Sequence, residues 1–158
     1  MNTFIRSAVI AVSAFWAVSA HGAASRVGNA YYEDIPNVSA FCDNTSCSTT
    51  SSAASPEGVY LRIQHVYCLI SVVSPSVMTS LVLEIWTAPP ASSGASKIKE
   101  VGLGFPQPTS GIYSFDHDIL LVTGSGRYVV FRSSLSASAS SSIRCGFTGD
   151  LLTPPPAQ

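Results

Sequence analysis

The sequence predicts an all-β domain: an antiparallel β-sandwich of the jelly-roll or immunoglobulin-like kind, with about six to eight strands, behind an N-terminal signal peptide. Three observations predict it. Apolar residues alternate with polar ones in short runs, Gly and Pro break those runs often, and nothing beyond the N-terminal apolar stretch carries a helical period. A small closed barrel is the second choice.

Met1 to Arg6 is a short start with one positive charge, and Ser7 to Ala20 is an apolar run without a charged residue. It ends in Val18-Ser19-Ala20, the small-residue pattern that signal peptidase accepts. The run is too short to span a bilayer. Residues 1–20 are therefore expected to be a cleaved signal, placing the mature chain in the periplasm or outside the cell. Residues 21–57 read as an N-terminal arm followed by a Cys42–Cys47 loop, 58–152 as the sandwich core, and 153–158 as a Pro-rich tail.

Within the arm, Pro36 holds Ile35 extended, and one edge strand is expected there. Asp43-Asn44-Thr45-Ser46 between the first two cysteines is a turn composition, and the Ser/Thr/Ala tract from Ser48 to Ser55 reads as a surface loop. The first strong strand starts at Val59. Val59, Leu61 and Ile63 share a face; then the phase slips, and Val66, Cys68, Ile70 and Val72 continue that face on the opposite parity. One extra residue near Gln64-His65, a β-bulge, restores the alternation; the alternative is two separate strands meeting at His65.

Pro75 closes that run. Leu81, Leu83 and Ile85 form the next strand, and Val101, Leu103 and Phe105 another. Tyr113 to Val122, Arg127 to Arg132 and Ile143 to Leu151 complete the set, with Gly124-Ser125-Gly126 as a tight hairpin-type connection. Leu135 to Ser142 reads as a long Ser/Ala loop.

Four cysteines in an exported chain allow three pairings. Proximity favours Cys42 with Cys47, which leaves Cys68 with Cys145, both on inward parity and suited to a buried bridge across the sandwich. Closing a loop of roughly 75–80 residues in this way is worth about 4–5 kcal/mol in the loop-entropy account.

Charged residues make up 11% of the chain and the net charge is −1. No basic stripe follows a phosphate backbone, so nucleic acid is not an expected partner. No second apolar span follows the signal, so no membrane span is expected in the mature chain.

Four groups could carry chemistry. Cleavage after Ala20 would make His21 the N-terminus, able to chelate copper through its amine and imidazole, with His65 or His117 completing the set. In that residue and its processing site the chain resembles the histidine-brace copper proteins, the lytic polysaccharide monooxygenases among them, which are exported β-sandwiches. The resemblance implies a copper-dependent oxidoreductase. Asp116 and Asp118 flank His117 and share a strand face, where with a third oxygen donor they could hold calcium or contact a ligand. Arg62, Arg127, Arg132 and Arg144 could form one anion-binding face, or pair with Glu84, Glu100 and Asp150. Trp86 ends a strand beside Pro89-Pro90, where an aromatic ring can stack on a sugar or pack beneath the turn.

No nucleophile elbow, phosphate loop, His-Glu-x-x-His or EF-hand pattern is present. The sequence thus points to a non-catalytic exported binding or surface-recognition module. It needs no cofactor, is stapled by two disulfides, and takes a carbohydrate or a protein surface as ligand. The alternative is a self-assembling structural protein, with the copper enzyme third.

Overall fold

The computed structural model describes residues 25–34, 42–104 and 111–153. They form nine strands and no helix: β1 (Ser25–Val27), β2 (Ala30–Asp34), β3 (Ser46–Thr50), β4 (Tyr60–Val72), β5 (Met78–Trp86), β6 (Lys97–Gly102), β7 (Ile112–Thr123), β8 (Tyr128–Leu135) and β9 (Ser141–Leu152). Two antiparallel sheets result, one five-stranded in the order β1-β2-β9-β4-β7 and one four-stranded in the order β3-β8-β5-β6.

The pairs β2·β9, β3·β8, β4·β7 and β5·β6 nest inside one another in the sequence. From β2 to β9 the chain crosses to the other sheet at every connection except β5 to β6.

The inner faces build one core. Leu61, Ile63, Val66 and Ile70 of β4 and Ile143 and Phe147 of β9 come from the larger sheet, and Leu81, Leu83 and Ile85 of β5 with Val129 and Phe131 of β8 from the smaller. Phe131 and Phe147 meet across the gap with ring centroids 6.5 Å apart. The buried Tyr113 hydroxyl accepts a hydrogen bond from the Met78 backbone N–H at 3.0 Å, tying β7 to the start of β5. Burial of this many aliphatic and aromatic side chains is the main stabilising term, at about 1.5–3 kcal/mol for each one fully buried.

The bulge falls where the alternation slips. Against β9, Ile63 pairs with Gly149 and His65 with Thr148, so Gln64 is the extra residue. Against β7, Ile63 pairs with Leu121 and His65 with Asp118, so Ile119 and Leu120 together oppose Gln64. The close approach at this point requires glycine. A Cβ on Gly149 would run into the Arg62 carbonyl oxygen.

Both disulfides pair as the spacing predicts, Cys42 with Cys47 and Cys68 with Cys145. Their roles are reversed from the expectation. Cys68 and Cys145 sit directly opposite each other on neighbouring strands of one sheet, with Cα atoms 4.0 Å apart, so this bridge does not cross the sandwich. Residue parity fixes the face a side chain points to, but not which strand lies beside it. The short-range bridge is the one that joins the sheets. Cys42 exchanges backbone hydrogen bonds with Ser141 at the start of β9, while Cys47 lies on β3 of the other sheet.

The Ser/Thr tract also departs from expectation. Its first residues belong to β3, and Thr49, Ser51 and Ser55 are buried. The Ser51 and Ser55 hydroxyls fasten this segment to the β7–β8 connection, which crosses between the sheets and is not a hairpin, and to the start of β8. Ser51 Oγ accepts from the Val129 N–H at 3.1 Å, and Ser55 Oγ accepts from the Arg127 N–H at 2.9 Å while donating to the Gly124 carbonyl at 2.8 Å. The last edge strand of the small sheet begins at Lys97 rather than Val101. Phe105 lies outside the described residues, as do the predicted signal, Pro36 and the Pro-rich tail.

Candidate functional site

The polar residues singled out from the sequence fall on the two solvent faces of the sandwich, where β-strand alternation directs them. On the small sheet, Val82, Glu84 and Trp86 of β5 face outward beside Val130 and Arg132 of β8. Glu84 lies on this outer face and is nevertheless buried, its side chain 3% exposed. Oε1 accepts from Arg132 Nε at 3.2 Å, and Oε2 from Arg132 Nη2 at 3.3 Å and from the Trp86 indole N–H at 2.8 Å. Lys97 Nζ lies 3.4 Å from Oε1 and also pairs with Glu100.

Burial alone would raise the Glu84 carboxyl. The Trp86 hydrogen bond, then Arg132 and Lys97, outweigh it and hold the group below its ordinary 4.5. Trp86 is half-buried, and its one polar atom is committed to Glu84.

On the large sheet the cluster is open. The bulge turns His65 to the solvent face, opposite Asp118 on β7. His65 Nε2 lies 2.9 Å from Asp116 Oδ1, and Nδ1 lies 2.9 Å from Asp118 Oδ1. The carboxylate side chains are 70% and 93% exposed. A neutral imidazole has one N–H, so donation to both carboxylates at once belongs to the imidazolium form. Arg62 pairs with Asp150 on the same face. Around these groups stand exposed apolar side chains, with Leu120 78%, Val122 46% and Tyr60 41% accessible.

The arginines do not assemble into one anion-binding face. Arg62 and Arg132 lie on different sheets, each paired with a carboxylate, and Arg144 is seven residues along β4 from Arg62 in the register, opposite Leu69. Of the proposed copper ligands, His65 and His117 lie among the described residues and His21 does not. His117 pairs with the buried Val66, and its ring packs against the inward-facing Phe115 at a centroid distance of 4.7 Å. His65 points to the opposite face of the sheet. Asp116 and Asp118 thus clamp the His65 ring between their Oδ1 atoms. Among the described residues no group of three or more His, Cys, Asp or Glu could hold a metal, and His21 lies outside them.

The burial of Glu84 went unforeseen in the sequence; an acid between Leu83 and Ile85 on an outward position was its only signal. Geometry thus defines an all-β, two-sheet domain with two disulfides and two polar surface clusters, one sealed and one accessible. The disulfides fit an oxidising compartment, and no helix among the described residues is long and apolar enough to cross a membrane. Compared with known protein families and with curated proteins, the chain matches none.

Proposed function

We propose that this chain is an exported, non-catalytic jelly-roll domain that recognises a partner through the solvent face of its five-stranded sheet. The nested pairs β2·β9, β3·β8, β4·β7 and β5·β6 support the jelly roll over the immunoglobulin type, because they are the rungs of one long hairpin wound onto itself. The Ser7–Ala20 run and two disulfides support export.

The observation that carries the recognition role is the outer row of β7. Leu120 and Val122 stand in solvent beside the Asp116–His65–Asp118 clamp, on the edge strand of the large sheet. Apolar side chains grouped around fixed polar ones mark interaction surfaces. Trp86 is the lesser candidate, since its N–H serves Glu84.

Two measurements test this reading. Mass spectrometry of the secreted protein, without reduction, reads the mature N-terminus and both disulfides; a chain that retains Met1 defeats export. A photo-crosslinking residue at Leu120 and another at Ser92, in the β5–β6 loop, compare the face with a remote exposed site in the producing cell. A discrete adduct from position 120 alone is expected, and equal or absent labelling overturns the recognition role.

A further inference from the structure

β7 ends the five-stranded sheet, and among the described residues nothing pairs with its far edge. It runs for 12 residues. In an antiparallel pair alternate residues bond to the neighbouring strand, so half of the β7 backbone groups serve β4 and the other half aim at the open edge. Proteins usually shorten, bulge or cover such an edge, because it templates further strands. Here the edge strand is interrupted where Ile119 and Leu120 together oppose Gln64, and its outer row reads Ile112, Ser114, Asp116, Asp118, Leu120 and Val122, all exposed.

The charges on that row select the occupant. Each carboxylate uses only Oδ1 toward His65, and among the described residues the Oδ2 atoms take no hydrogen bond. One imidazole contributes at most one positive charge against two carboxylates, so the cluster stays negative in either state of the ring.

A second copy paired through the acidic stretch itself is thereby disfavoured. Antiparallel self-pairing centred on His117 sets Asp116 opposite Asp118 of the other copy, and centring it on either aspartate sets that residue opposite itself. Like charges directly opposite destabilise a strand pair. Charge used only to protect the edge would not explain Leu120 and Val122 standing exposed beside it.

Building on the recognition role above, we propose that the open edge of β7 docks an extended peptide segment of a partner protein. The segment adds to the sheet as a further strand, carries lysine or arginine opposite Asp116 and Asp118, and places apolar residues opposite Leu120 and Val122. Main-chain hydrogen bonds supply the attachment, and the alternating side chains supply the choice of partner.

The test uses the full chain and two synthetic peptides that alternate valine with threonine. One carries two lysines placed to face Asp116 and Asp118; its twin carries glutamates there. The lysine peptide is expected to bind about tenfold more tightly at low salt, with a gap that narrows as salt rises. It slows amide hydrogen exchange in β7 most strongly, and the D116K/D118K variant reverses the preference. Should that variant not fold, Asp118→Lys alone, at a nearly fully exposed side chain, reduces the preference by a smaller factor.

Equal affinity for the twins overturns the proposal, as does dimerisation of the chain that protects β7. Protection of the outer face of β4 and β9 without β7 also overturns edge docking, but leaves the recognition face standing. Absent crosslinking from position 120 would instead remove the recognition role itself.

Discussion

Glu84 and Asp118 are carboxylates on the solvent faces of two sheets in one domain, and each meets a basic side chain from the neighbouring strand. Their surroundings are opposite. Glu84 is closed off from water and bonded by an indole, a guanidinium and an ammonium, whereas Asp118 stands almost fully in solvent with one contact to an imidazole. A buried carboxylate must be saturated with partners or it destabilises the fold, and a saturated one has no bonding capacity left for a ligand. An exposed pair contributes little to stability and keeps lone pairs free. The sealed cluster therefore belongs to the architecture, and the open one keeps bonding capacity that the proposed recognition role would use.

The largest expected effect tests how the open cluster is built. Gly149→Ala would drive a Cβ into the Arg62 carbonyl at the bulge that turns His65 outward. A loss of about 3 kcal/mol in denaturant unfolding is expected, since backbone rather than a flexible side chain must move. A loss under about 0.5 kcal/mol, the ordinary range for a surface change, would mean the bulge relaxes freely and does not fix the clamp.

Next in size is Arg132→Ala, which leaves Glu84 buried with only Trp86 and Lys97 as partners. Removing one member of a buried pair strands the other, and about 2–3 kcal/mol should be lost. An effect as small as that of an exposed pair would erase the distinction between the two faces.

The pH dependence sharpens the same contrast. The folded carboxyl of Glu84 titrates below 4.5, so its contribution is complete above that value. It is lost as pH falls from there through the lower folded value. Unfolding midpoints of the wild type should therefore drop more steeply below pH 4.5 than those of Glu84→Gln, which has no proton to bind at that site. Parallel curves would show that acid lability resides elsewhere.

How far the sequence foretold these arrangements differs between local and long-range features. The bulge was legible because Ile63 and Val66 sit on one face three residues apart, a step no regular strand allows. The disulfide partners followed from proximity and parity. What parity cannot supply is the neighbour of each strand, so Cys68–Cys145 was expected across the sandwich and lies within a sheet. Strand β3 was missed because its inward positions are Cys47 and Thr49 in a hydroxyl-rich tract, with no aliphatic alternation to mark it. The Asp116–His65–Asp118 clamp joins residues about fifty positions apart in the sequence through the bulge register, which composition and spacing do not encode.

The smallest stability change is expected at the clamp, where it separates folding from recognition. His65→Ala removes one imidazole from two exposed carboxylates, and a loss under about 1 kcal/mol should follow, as for other solvated ion pairs. The same substitution leaves Asp116 and Asp118 without their shared imidazole and removes the positive charge that its protonated form sets against them. Affinity for the lysine peptide should therefore rise while stability falls slightly, with the glutamate peptide moving the other way. Arg132→Ala should show the converse: a marked loss of stability and unchanged peptide affinity, because its partner faces away from β7 on the other sheet. If both substitutions shifted stability and affinity together, the two faces would be coupled through the core. The division into a sealed structural cluster and an open recognition cluster would then fail.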